Sequence, residues 1–422
     1  MAKIKLQILQ LYSELHEIMP IAIIITVCSL LLLAYIFDIS SALTKIPSVI
    51  LLLLTGWLVR QLTFLVAIEV PDLNPLLPIF GTIGLILIVL EGSLELQLNK
   101  SKVSVINKSF LIALLSMVVL AFILAATFQY YEYISFKDAL LNAIPFCVIS
   151  SAIAIPSVRN LTRSNKEFVI YESSLSDILG VLFFNFIAVN TIINLESFLH
   201  FGLSIFIVVL GSFVSVIGLS FLLSRIKHHV TFSPIILLVI LIYGIAKHFH
   251  LPALIFIFVF GLFLGNLDEL KRFKWIERLR PVKLDKEVAK FKEITIEATF
   301  LIRALFFLLF GFLMSAHEIL NTVTLPWAVG TVIAIISIRW IALKVAGFPA
   351  LPLLFIAPRG LITILLFIAI IPEQASTLVN PSYIIQTIIL SVFVMMIGIM
   401  MGKKDRSERV EESIVEVDVQ KP

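Results

Sequence analysis

The chain has 422 residues, 60% hydrophobic and only 14% charged, with a formal net charge of +4 and a mean hydropathy of +1.08. Soluble domains are nearer half apolar, so this composition excludes an ordinary soluble enzyme or binding module and indicates an all-α polytopic membrane protein embedded in a lipid bilayer. Two cysteines, Cys28 and Cys147, both in apolar runs, suggest no disulfide framework, and a basic face on a membrane protein needs no nucleic-acid partner to explain it.

A helix needs about 20 apolar residues to cross the hydrocarbon. Residues 1–19 form a mixed N-terminal segment without a clear cleavage pattern, so the first apolar run reads as a retained anchor. Thirteen candidate spans follow, starting near Pro20, Ser48, Leu76, Phe110, Asp138, Glu167, Phe201, Thr231, Leu251, Ile294, Val323, Ala350 and Tyr383. They define a transmembrane domain over 20–402, with a charged tail at 403–422. The N-terminus and the loops after even-numbered spans carry 4 Lys and Arg; the opposite loops and the tail carry 24. The positive-inside rule then places the N-terminus outside and the C-terminus in the cytoplasm, as in a prokaryotic inner membrane. The longest inside loop, 268–292, is strongly charged and predicts a surface helix joining two halves along the headgroups.

Two spans are weakened in their middles. The fifth carries Pro145 and Pro156 around Ser150 and Ser151; the twelfth carries Pro352, Pro358 and Gly360. Proline removes a backbone donor, and freed backbone groups within a membrane must be satisfied by protein, water or an ion. Paired interruptions in the two halves of a chain point to a transporter's central site.

The sixth span opens on Glu172-Ser-Ser-Leu-Ser-Asp177. A carboxylate inside a bilayer costs a few kcal/mol or more, roughly, and marks an ion or proton pathway by default. Glu172 and Asp177 diverge by roughly 140° around a helix, so each needs its own partner. Arg339, in the middle of the eleventh span, is the first choice for Glu172, because it keeps its proton and needs a buried acid. Asp177 is left for an ion or proton. Ser150, Ser151, Ser173 and Ser176 supply neutral oxygens nearby. Glu91 and Glu95 share one face of the third span, with Glu91 a turn deeper and able to face a cavity. Arg359 sits in the interrupted twelfth span, where it can cap carbonyls. Arg303 has no evident partner.

These residues resemble the monovalent cation:proton antiporters of the NhaP and NHE type over about residues 45 to 400. Glu172 to Asp177 is similar to the family's E-S-x-x-N-D, Pro358-Arg359-Gly360 to its x-R-G, and Leu90-Glu91-Gly92-Ser93-Leu94 to its F-E-x-G-L. Lys45-Ile46-Pro47 fits the lead into the family's second span. The resemblance implies that Asp177 binds cation and proton alternately, that Ser173 can offer an oxygen, that Glu172 and Arg339 form a structural ion pair, and that Glu91 can lie near the ion site. It also implies an NhaA-like inverted repeat with two broken helices and a homodimer in which a core moves against dimerisation helices. Two positions depart from the pattern. Ser176 replaces the asparagine before the aspartate, and Ser151-Ala152-Ile153 replaces T-D-P and carries no acid.

The expected activity is exchange of Na+, or Li+ or K+, for H+, one for one, with no cofactor and no enzymatic step. Two alternatives keep the same scaffold: a sodium-coupled symporter of an organic anion, which should show a second cluster of acids or amides, and a transport-inactive sensor. A membrane protease needs a second mid-span aspartate or an H-E-x-x-H helix, and the sequence has neither.

Overall fold

The computed structural model describes residues 24–41, 44, 46–66, 70–96, 102–158, 161–190, 193–225, 233–249, 251–266 and 282–401. The segment 1–19, most of the 268–292 linker and the tail 403–422 lie outside them. Helix α1 spans Ile24–Ser41. It is followed by α2 (Ser48–Leu65), α3 (Leu76–Glu95), α4 (Val103–Glu132), α5 (Phe136–Ala143), α6 (Ser151–Ser157), α7 (Arg163–Val189), α8 (Leu195–Arg225), α9 (Ser233–His248) and α10 (Ala253–Gly265). The last four long elements are α11 (Val282–Leu313), α12 (Leu325–Ala346), α13 (Leu361–Ile368) and α14 (Pro381–Met401).

Among the described residues, ten segments are long and apolar enough to cross a membrane, the pair α5–α6 counting as one. That is fewer than the thirteen expected spans. The eighth and ninth correspond to apolar helices of only 12 and 13 residues, Ile235–Ala246 and Ala253–Gly265. The twelfth is not one helix but a 3-10 turn at Leu353–Phe355 followed by the eight-residue α13. The linker also differs from expectation. From Val282 onward it is the start of α11 and runs unbroken into the membrane helix.

Local signals set the ends of several elements. Ser135 Oγ accepts from the Asp138 amide at the start of α5, and Thr162 Oγ1 accepts from the Asn165 amide at the start of α7. Gly347, at φ 74°, ends α12 in the left-handed conformation that favours glycine.

The helices pack as two bodies. In one, α2 lies on α11, α11 on α3, α3 on α10, and α10 on α8 and α9; in the other, α4 lies on α7, α5 and α12, α6 on α7, and α12 on α14. The contacts between bodies, chiefly α3 with α7 and α13 and α10 with α7, are much sparser. Within the first body, α2 and α11 meet through glycines. A Cβ on Gly56 would stand 2.1 Å from Leu308 O, and one on Gly311 would stand 2.2 Å from Leu53 O. Small residues let membrane helices approach backbone to backbone. Gly311→Ala therefore forces the helices apart and is expected to cost about 1–3 kcal/mol. Its unfolding midpoint in detergent should fall, whereas Gly330→Ala, with nothing within 4 Å of the added methyl, should leave it unchanged or slightly higher.

The two proline-bearing segments meet inside the second body. After α5, a 3-10 turn at Ile144–Cys147 gives way to extended backbone at Val148 and Ser150, and α6 begins at Ser151. The Ser150 amide donates to Pro358 O at 2.9 Å, joining this interruption to the one between Phe355 and α13.

Candidate ion-binding site

Three buried polar arrangements lie around this crossing. The first is Arg359, 2% exposed. Its Nε donates to Phe146 O at 2.5 Å and its Nη1 to Ala357 O at 2.8 Å, while its amide donates to Ser391 Oγ on α14 at 3.0 Å. One guanidinium thus satisfies carbonyls released by both interruptions.

The second is an ion pair. Arg339 on α12 donates from Nη1 to Glu172 Oε1 at 2.5 Å and from Nη2 to Glu172 Oε2 at 2.8 Å. Both residues are buried, at 2% and 1% exposure. Arg339 Nε also donates to Leu353 O at 2.7 Å. The pair therefore holds α7 against α12 and fastens the 3-10 turn of the second interruption, a contact that the sequence did not announce.

The third is Asp177, on the middle turns of α7 and 3% exposed. Its Oδ2 accepts from the Ser151 hydroxyl and from the Ser151 amide at 3.3 Å. Its Oδ1 has no hydrogen-bond partner among the described residues. The serines around it behave differently from one another. Ser176 Oγ accepts from the Ile149 amide at 2.9 Å and so caps a backbone donor of the first interruption. Ser173 Oγ donates to Val169 O at 2.7 Å, one turn back on its own helix, and lines neither cavity described below. Ser150 Oγ is buried with no hydrogen-bond partner among the described residues, next to Gly360, where an added Cβ would come within 2.8 Å of it.

Two cavities lead to Asp177. The larger, about 730 Å³, is lined by Glu91, Glu95 and Ser151 and, towards its mouth, by Lys102, Lys166 and Lys292. The smaller, about 10 Å³, lies between the two bodies. Ile88, Gly92 and Ser93 of α3 wall one side, and Ser151, Ser174 and Asp177 wall the other. Ile88, Gly92 and Ser151 border both spaces, so the small chamber adjoins the inner end of the funnel. Its volume is about that of one water molecule.

Glu91 borders the larger cavity and Asp177 the smaller one that adjoins it. Glu91 lines the funnel together with Glu95, Lys292 and Arg303 of α11. Sequence reasoning had not placed Arg303 in the same cavity as Glu91. Sequence reasoning also passed over Ser174. Its signal was its position three residues before Asp177, on the same face of a helix.

The end of α4, the start of α5 and the segment before α14 are tied together by polar contacts. Glu132 at the end of α4 accepts from Ser376 Oγ, from Thr377 Oγ1 at 2.5 Å and from the Leu378 amide at 2.6 Å. Asn142 donates to Gln374 O at 2.7 Å and accepts from the Ser376 amide at 3.0 Å. Phe146 and Tyr383 stack beneath them at 4.5 Å between ring centroids.

The profile of the sodium/hydrogen exchanger transmembrane family matches residues 26–403. The chain belongs to the sodium/hydrogen exchanger family. Members of this exchanger family are transporters and not enzymes. The fold is similar to that of the sodium proton antiporter MjNhaP1 from Methanocaldococcus jannaschii at pH 8, with a TM-score of 0.62 and 18% identity over 90% of this chain and 95% of that one. An electron-microscopy structure of the same antiporter gives the same likeness. No curated protein sequence matches this exchanger.

Proposed function

We propose that the chain exchanges a monovalent cation, with Na+ the first candidate and Li+ and K+ the alternatives, for H+ at Asp177 by alternating access. The observation that carries this reading is a carboxylate at the seam between two bodies, with one oxygen bound by Ser151 and the other bare, at the inner end of a water-sized chamber. A low-dielectric site penalises an uncompensated charge. The Asp177 carboxylate therefore needs either a proton or a cation, and the two compete for one group. With Glu172 neutralised by Arg339, exchange at the one carboxylate of Asp177 is one for one and electroneutral.

In this reading the α4–α7 and α12–α14 body is the moving core and the α2, α3, α10 and α11 body is the scaffold, carrying the homodimer contact. The expected thirteen spans then correspond to crossings of unequal length, two of them interrupted and related as an inverted repeat. The funnel mouth lies on the side of the Lys- and Arg-rich loops. With positive loops inside, the N-terminus outside and the C-terminus in the cytoplasm, the chamber faces the cytoplasm.

The test uses proteoliposomes with a trapped pH dye. Pulses of Na+ should collapse an imposed pH gradient while choline does not, and parallel Li+ and K+ pulses rank selectivity. In the acidic range, where the proton holds the site, the apparent KM for the cation should rise in proportion to proton concentration. Absence of any response to all three cations from neutral to mildly alkaline pH would remove the antiport reading.

A further inference from the structure

We propose that the cation binds on the Oδ1 side of Asp177 with the Ser174 hydroxyl as a ligand, and that Ser174 sets affinity and the choice among alkali cations. The proposal rests on the exchange function above and adds to it a residue and a side of the carboxylate. The two oxygens of Asp177 are not equivalent. Oδ2 already accepts two donors from Ser151, whose hydrogens point at the place a cation would take. Oδ1 is buried and bare. One turn earlier on the same helix, Ser174 is 5% exposed, and its Oγ also has no partner among the described residues. Both residues line the same chamber of about 10 Å³.

A serine inside a helix ordinarily bonds the carbonyl one turn back. Ser173 does so, and Ser176 is held by the Ile149 amide. Ser174 makes neither kind of bond. Across from it stands Gly92 of α3, where an added Cβ would lie 3.4 Å from Ser174 Oγ, so the glycine keeps the space beside the hydroxyl open. A hydroxyl oxygen, a carboxylate oxygen and a gap the size of one water suit a dehydrated monovalent cation, which takes hard oxygen donors. A cation here is held by one charge and neutral oxygens, with no second acid in Ser151-Ala152-Ile153.

The full chain tests this with two readouts. One is the KM and Vmax of cation-driven proton movement in proteoliposomes. The other is the rise in unfolding temperature that NaCl or LiCl gives over choline chloride in detergent. Ser174→Ala should raise the KM for Na+ about tenfold, the equivalent of about 1.4 kcal/mol. It should also shrink the Na+-dependent rise, with Vmax and the cation-free unfolding temperature kept. Ser174→Cys preserves the packing volume but offers a soft sulfur, so it should shift KM the same way and carries the test if the alanine variant does not fold. Ser116→Ala, removing another unpartnered hydroxyl on α4, should leave KM unchanged. The proposal falls if both Ser174 variants keep the wild-type KM and Na+/Li+ ratio, or if they lower only Vmax or cation-free stability. If the wild type itself is neither driven nor stabilised by any alkali cation, the exchange reading fails first, and the two failures are separable.

Discussion

Asp177→Asn is expected to abolish cation-driven proton movement while the purified protein unfolds at the wild-type temperature or above it. The amide keeps the shape of the carboxylate, and its oxygen can still accept from the Ser151 hydroxyl and amide that now serve Oδ2. What it loses is the charge. It can neither release a proton nor offset a cation stripped of water, so transport should fall by at least about a hundredfold, the several kcal/mol that a buried counter-charge represents. Stability moves the other way, because a neutral amide is cheaper to bury than a carboxylate with one bare oxygen. The measurement is transport in proteoliposomes beside a thermal unfolding curve in detergent. Exchange by the variant at a rate comparable to wild type would falsify the assignment.

Breaking the ion pair should do the reverse and damage the fold. Arg339→Met leaves Glu172, 1% exposed, without its two guanidinium donors, and leaves Leu353 O without the Arg339 Nε. An orphaned buried charge costs about 3–5 kcal/mol, more than a buried pair contributes against an apolar substitute. The single variant should therefore lose much of its monodisperse yield and unfold at a clearly lower temperature. Adding Glu172→Gln removes the stranded charge and should recover more than half of that loss. Equal stability of wild type and the single variant would mean that the pair does not hold α7 to α12. Because the double variant leaves Asp177 in place, any transport it retains also separates the structural acid from the exchanging one.

The parts of the site legible in the sequence are those where desolvation makes a residue conspicuous. Asp177, Glu172 and Arg339 stand out because an apolar run tolerates charge only for a reason. Their five-residue spacing was enough to assign the two acids to different partners. Pro145 and Pro358 marked where backbone would be released, but not that Ser150 N and Pro358 O would satisfy each other. Pairings of that kind depend on how helices rotate about one another, which hydropathy does not encode. The same limit hid the cavity that Arg303 and Glu91 both line and the Arg339 bond to Leu353 O. Ser174 was hidden differently, since the motif draws attention to its neighbour. Helix ends were misplaced because apolar runs report the thickness of the hydrocarbon, whereas α4 and α11 continue past it, starting at Val103 and Val282 rather than near Phe110 and Ile294.

The placement of glycines has a mechanical meaning. Among the described residues, the glycine contacts closest to a neighbouring backbone, Gly56 on Leu308 O, Gly311 on Leu53 O and Gly265 on Leu94 O, all fall within the α2, α3, α10 and α11 body. Glycines of α3 that look across to the other body meet side chains instead: Gly92 meets Ser174, and Gly81 meets the tip of Leu365. One set behaves as a weld, since parting it means pulling main chain from main chain. The other behaves as a bearing, in which side chains can change rotamer and pass one another on smooth helical surface. The proposed exchange by alternating access would use this seam, on which Asp177 sits, because its contacts are the sparser ones and are made by side chains.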